Sequence, residues 1–291
     1  MARPPEYKPN GAPSQSRPLA MAERLGYPVD FPDVSTTGMA VTTLSSEPKT
    51  SEAEWEQRCN LAALYRILHH LRMTDLIYTH MSARVPGEEG TFLINRYGDL
   101  FDEVTASSLV KMDFDGNVIG DQARFNLAGF NIHSGVYMAR PDINCVMHTH
   151  TRAGIAVAIS ERGLLPISQH ALTVLDEIGY HEYGGPGSVE EREDVGRSCG
   201  SANCIIMRNH GLLTLGETIP MAFKRMYYLE LSCQIQTTAV AGGEPLIMIR
   251  DEIVEATAKL TAGRRASGVQ GELEWESLLR MLERQGADYR S

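Results

Sequence analysis

The sequence predicts an α/β domain, because helical and strand-like periodicities alternate along its middle. Three observations carry that expectation. A helical repeat runs over 52–73, two short apolar strands at 144–149 and 203–208 are set among helical stretches, and a long helical repeat extends from Thr218 to about Val240. With 291 residues and 43% hydrophobic content, the chain can fill the core of one large domain or two small ones.

Eight of the fourteen prolines fall in the first 48 residues, where apolar residues recur with no period, so residues 1–50 are expected to form an extended or disordered arm. Ser51 and Glu54 then have the spacing of a capping box, and Trp55, Leu61, Leu64, Tyr65, Leu68 and Leu71 continue at helical spacing. Thr91–Asn95 suggests a short strand. Val110, Met112 and Phe114 alternate with Lys111, Asp113 and Asp115 before Gly116-Asn117, a hairpin pattern with one wet face.

Residues 127–139 read as helix, 144–149 as a buried strand and 152–160 as an Ala-rich helix. The second buried strand, 203–208, leads into Asn209-His210-Gly211 and the apolar Leu212–Leu215. Thr218 is placed to cap the long helix, with Pro220 tolerated in its first turn and Gly242-Gly243 ending it. Residues 251–284 look amphipathic in two pieces separated by Gly263 and Gly268. The domain plan is therefore an arm over 1–50, a main domain over 51–245 and a helical extension over 246–291.

The formal net charge is −10, from 27 basic and 37 acidic residues. The arm is balanced and the last 41 residues carry −2, so −8 belongs to the middle. That balance argues against nucleic acid or an anionic membrane as partner. The first thirty residues have no apolar run of the signal-peptide kind, and nothing later reaches the roughly 18 apolar residues of a membrane span. Five cysteines without C-x-x-C spacing suit a reduced cytoplasmic setting.

The chemistry concentrates in Met147-His148-Thr149-His150. Side chains of a strand alternate faces, so His148 and His150 project to one side and can chelate one ion, a reading weighed evenly against two surface or hydrogen-bonded histidines. His210, at the corner after the second apolar strand and next to Gly211, is the candidate third ligand. Three imidazoles suit zinc or another first-row ion such as iron and leave positions open for substrate.

Met147–Thr151 and Asn209-His210-Gly211, together with Thr79-His80-Met81-Ser82-Ala83-Arg84 and Ala139-Arg140-Pro141-Asp142, resemble the class II aldolase/adducin family over about residues 52–245. The resemblance implies a three-layer αβα fold with a central mixed or antiparallel sheet. It also implies a divalent ion, zinc first and iron(II) or manganese(II) next, on His148, His150 and His210, and a homotetramer with sites at subunit interfaces. Phe101–Lys111 and Gly163–Ser168 resemble the adducin branch, whose members are cytoskeletal and use this domain for assembly.

The chain departs from the sugar-phosphate aldolases at three places. Their acidic ligand would fall nineteen residues before His148, where this chain has Gly129. Their phosphate loop is replaced by His80, Tyr97-Gly98 and Leu127-Ala128, and the last two residues offer no side-chain donor of the kind a phosphate needs. Their catalytic tyrosine is replaced by His170, able to move a proton near neutral pH or merely to bond across a subunit interface.

The expected activity is a metal-dependent carbon–carbon lyase of retro-aldol type. Its expected substrate is a small, unphosphorylated hydroxy-carbonyl or hydroxy-acid compound with an apolar or aromatic body, the latter as in aromatic compound catabolism. His170 and Tyr180 are the candidate proton-moving residues, and His80, Arg96 and Tyr97 the candidate substrate contacts. His133, His181 and Tyr183 rank below them. The alternatives are a metal-dependent decarboxylase, a non-haem iron oxygenase on a three-histidine site, and a non-catalytic assembly module.

Overall fold

The structure, a computed structural model, describes residues 50–121, 123–184, 189–266 and 270–291. The expected arm over 1–50 lies outside them except for Thr50. Helix α1 (Glu52–His70) starts where Ser51 Oγ accepts the Glu54 N–H at 3.1 Å. Only half of the expected box forms. The Glu54 carboxylate turns to Arg58 (2.8 Å) and Lys111 (3.0 Å), tying the helix to the sheet through a buried ion cluster. The helix ends short of residue 73 because Arg72 adopts a left-handed φ of 58°.

Eight strands follow, interleaved with helices: β1 (His80–Arg84), β2 (Thr91–Ile94), β3 (Val110–Asp113), β4 (Val118–Ile119), α2 (Leu127–Ala139), β5 (Cys145–Thr149), α3 (Arg152–Ala158), α4 (Gln169–Leu172), a 3₁₀ turn (Leu175–Glu177), β6 (Ile178–His181), α5 (Val189–Cys199), β7 (Cys204–Met207), β8 (Gly211–Gly216), α6 (Ile219–Ala241), α7 (Asp251–Ala266) and α8 (Glu272–Arg284). The strands form one mixed sheet in the order β4-β3-β2-β1-β5-β8-β7-β6. All neighbours are antiparallel except β6 and β7.

Strand alternation splits the interior into two cores. Met81, Ala83, Leu93, Cys145, Met147, Ile206 and Leu212 face α1, α6 and α8, where Leu64, Met226 and Trp275 meet them. Phe92, Ile94, Val146, Ile205, Leu213 and Leu215 face α2 and α5, where Phe130, Val136 and Val195 close over them. The result is the expected three-layer αβα arrangement.

Tyr65 of α1 is fully buried. Its hydroxyl donates to the Met81 carbonyl (2.6 Å) and accepts the Met81 N–H (2.7 Å), locking the helix onto β1. Residues of the expected C-terminal extension enter the first core through Trp275, Leu282 and Tyr289, and the Ala106 and Ser107 N–H groups donate to the carbonyls of Tyr289 and Ser291.

Some elements carried no clear local signal. β1 has only Met81 and Ala83 as apolar residues, because His80 and Ser82 are polar and buried against α2 and Arg84 is half-buried beside them. β6 is four residues with a glycine, and α5 is polar with few apolar positions. Gly263 does not break the C-terminal helices as expected. It lies inside α7, and Gly268, the other expected break, lies outside the described residues.

The α2–α5 contact depends on two glycines. A Cβ at Gly135 would collide with the Arg192 carbonyl oxygen, and one at Gly196 would come within 2.8 Å of the Gly135 carbonyl oxygen. The helices therefore approach backbone to backbone. Gly135→Ala is expected to destabilise the fold by about 2 kcal/mol, read as a lower chemical-denaturation midpoint at unchanged slope, despite alanine's better helix propensity.

Candidate metal centre

The antiparallel pairing of β5 with β8 brings His148 opposite Leu213 and places Thr149 opposite Leu212. His150 sits one residue beyond β5, and His210 immediately precedes β8, after Asn209 in a left-handed turn with φ 58°. Gly211 lets the strands meet, since a Cβ there would strike the Thr149 carbonyl oxygen and lie 3.1 Å from the His150 ring. His148, His150 and His210 thereby converge, with one nitrogen of each within 4.8 Å of the others.

The separations are 2.8 Å between the Nε2 atoms of His148 and His150 and 3.3 Å between those of His148 and His210. A tetrahedral ion with bonds of about 2.0–2.1 Å sets its nitrogens about 3.3 Å apart. The opposite ring atoms are occupied. His148 Nδ1 lies 3.0 Å from the Leu212 carbonyl oxygen, which can only accept. His150 Nδ1 lies 2.9 Å from the Asp75 carboxylate. Both rings thus carry their proton on Nδ1 and present an Nε2 lone pair inward, the arrangement of a carboxylate- or carbonyl-oriented metal histidine.

Burial keeps the His148 and His210 rings neutral. It pushes His148 far below the ordinary imidazole range, helped by His210, His80, His150 and His133, and it pushes His210 down to about 4, helped by His150 and His181. Neutral imidazoles are what a divalent ion requires.

The space beside the cluster belongs to His80. A Cβ on Gly129 would lie 2.6 Å from His80 Cδ2 and 2.8 Å from its Nε2, so the glycine leaves room for the imidazole. The ring is 3% exposed, and its centroid is 5.1 Å from that of His148. Behind it stands a buried polar row of His133, Ser82 and Tyr137. Burial drives His80 well below its usual range and His133 down to about 3.

The remaining sequence candidates are more scattered. Tyr183 packs its ring edgewise against His210 at 6.0 Å, closer to the cluster than its rank suggested. Tyr180 lies under the Arg208 guanidinium at 4.3 Å, and its hydroxyl accepts the Leu164 N–H. His170 stacks on Tyr228 at 6.0 Å. Arg96 pairs with Asp99, and the Tyr97 N–H donates to the Arg124 carbonyl oxygen. Asp75 was not foreseen. It stands in a stretch between α1 and β1 with no periodic pattern, and only folding reveals its bond to His150.

Residues 59–237 match the family described as Class II Aldolase and Adducin N-terminal domain. The chain belongs to this family. A Pseudomonas aeruginosa protein whose name places it in aldolase class 2 is 44% identical over 248 residues, covering 84% of this chain and 95% of its own. Rat alpha-adducin is 40% identical over 251 residues, covering 79% of this chain but 33% of its own length. The solved L-fuculose 1-phosphate aldolase of Glaciozyma antarctica PI12 superposes with a TM-score of 0.71 at 25% identity, covering 86% of this chain and 97% of that one. This member of the class II aldolase and adducin family therefore has enzyme-like and adducin-like relatives over the same residues.

Two outcomes follow from the geometry. Asp75→Asn keeps the shape but removes the charge behind His150, and is expected to weaken zinc affinity about 10–100-fold, measured by competition with a chromophoric chelator. In metal-free protein, His80, His133, His148 and His210 bind protons in the unfolded chain near pH 6.5 but resist them when folded. The unfolded state then holds more protons, so stability is full above about pH 6.5 and falls as pH drops toward 4. Denaturation midpoints at pH 7 and pH 5 check this, and equal midpoints would contradict it.

Proposed function

We propose that this protein is a divalent-metal-dependent carbon–carbon lyase of retro-aldol type acting on a small, unphosphorylated hydroxy-carbonyl or hydroxy-acid substrate. The observation that carries this reading is the convergence of His148, His150 and His210, each pair of nitrogens within 4.8 Å, with two of the rings oriented by Leu212 and Asp75. A bound ion would supply Lewis-acid polarisation of a carbonyl or hydroxyl oxygen. Zinc suits the three-imidazole donor set first, iron(II) and manganese(II) next.

The chain's own residues do the rest. His148, His150 and His210 hold the ion, Asp75 fixes the His150 ring, and His80 and Tyr183 flank the cluster. Leu127 and Ala128, at the start of α2, offer no side-chain donors to a phosphate, which supports the unphosphorylated substrate class. Within the protomer neither His170 nor Tyr180 has a ring or hydrogen-bond contact with the cluster among the described residues. In this reading they act at a neighbour's cluster in a homotetramer.

The adducin-like reading, a non-catalytic assembly module, is favoured by the 40% identity to alpha-adducin. Elemental analysis separates the two. The lyase reading expects about one zinc, iron or manganese per protomer in native protein, lost in His148→Ala together with at least 100-fold of turnover in an anaerobic screen of hydroxy-carbonyl and hydroxy-acid compounds. Carbon dioxide release would redirect the reading to decarboxylation, and strict dependence on dioxygen to an oxygenase. Wild-type metal content and turnover in His148→Ala would overturn it.

A further inference from the structure

The row behind the cluster is continuous. His80 Nδ1 is 2.8 Å from His133 Nε2, His133 Nδ1 is 2.5 Å from Ser82 Oγ, Ser82 Oγ is 2.8 Å from the Tyr137 hydroxyl, and that hydroxyl is 3.5 Å from the Asn144 carbonyl oxygen. All four side chains are buried. A chain of neutral groups like this can run in two directions. Every bond donates away from the cluster, leaving His80 with a bare Nε2 lone pair, or every bond donates toward it, leaving His80 with an Nε2–H.

The far end decides between them. Donation away from the cluster must finish on the Asn144 carbonyl, at a distance on the margin of hydrogen bonding. That carbonyl already accepts the Arg84 N–H at 2.8 Å. Donation toward the cluster uses the Tyr137 proton in the 2.8 Å bond to Ser82 and stretches nothing. Ser82 then donates to His133 Nδ1, and His133 Nε2–H donates to His80 Nδ1.

We infer that His80 is a fixed N–H donor rather than a fourth metal ligand, and that it binds the substrate oxygen on which negative charge gathers. This rests on the metal-lyase reading for its purpose, though not for its geometry. His80 Nε2 has no hydrogen-bond partner among the described residues, and it lies on the side of the ring where Gly129 presents no side chain. Its ring shares one side of the sheet with His148, as expected for directly paired residues of β1 and β5. A donor held by a buried row needs no reorganisation when charge develops. His133, Ser82 and Tyr137 are positioning residues, since they act through His80.

Two measurements test this. In ¹⁵N-histidine-labelled protein, long-range ¹H–¹⁵N correlation spectra report each ring's tautomer, with assignments from single-histidine variants. His80 and His133 are expected as Nε2–H tautomers, against Nδ1–H for His148 and His150. An Nδ1–H His80, or a metal shift on its Nε2 when zinc is added, overturns the inference. In cobalt-loaded protein, acetohydroxamate serves as an oxygen-anion probe followed by the cobalt visible spectrum. His80→Ala is expected to weaken its binding about tenfold, with cobalt affinity unchanged and His80→Gln restoring part of the loss. Unchanged acetohydroxamate affinity in a folded, cobalt-loaded His80→Ala protein also overturns it. A protein that binds no metal would defeat the lyase reading but still give the tautomer result, so the two failures are distinguishable.

Discussion

The site depends first on the close pairing of β5 with β8. The three candidate ligands come from two segments about sixty residues apart, His148 and His150 in one and His210 in the other, and this pair of strands joins them. Gly211 permits the approach, because any side chain there would meet the Thr149 carbonyl oxygen. The same pairing delivers the Leu212 carbonyl to His148 Nδ1. One backbone contact therefore both gathers the rings and fixes which nitrogen of His148 faces inward.

A second constraint is a match of repeats between α2 and β1. Four helical residues rise about 6 Å, and two strand residues about 6.6–6.8 Å. Gly129, His133 and Tyr137 of α2 can therefore follow His80, Ser82 and Arg84 of β1 nearly in step. Gly129 meets His80, His133 bonds to His80 and Ser82, and Tyr137 bonds to Ser82 while the Arg84 guanidinium covers its ring at 4.6 Å. The small residue, the imidazole and the phenol are set out along one helix face so that the buried Ser82 hydroxyl and both His133 nitrogens find partners.

Much of this was legible in local pattern, and the illegible parts share a cause. Strand alternation around His148 and His150 and the Asn-His-Gly corner at His210 pointed to the cluster, because the period of a strand is a local property. The long helix α6 was legible for the same reason, through the Thr218 cap, which accepts the Met221 N–H at 3.3 Å. β1 was missed because its polar residues look like a wet surface until α2 covers them. Asp75 was missed because its role is to accept from a ring seventy-five residues away. Glu54 shows the converse, where a correct local spacing predicted a partner that tertiary ion pairs with Arg58 and Lys111 replaced.

The exchange at Gly129 explains why these features belong together. A carboxylate at that position would need its Cβ where the His80 ring now lies, so the chain can have the buried His80 row or an acidic side chain on α2, but not both in this packing. The choice alters the charge of the centre. In the proposed lyase a divalent ion held by three imidazoles would keep its full charge, since the nearby Asp75 carboxylate is bound to the outer nitrogen of His150. Under that proposal, charge balance would come from oxygen atoms of the substrate or from hydroxide. A neutral N–H beside such an ion complements that arrangement, since it favours the same oxygens without adding another buried charge, which would carry a large desolvation cost.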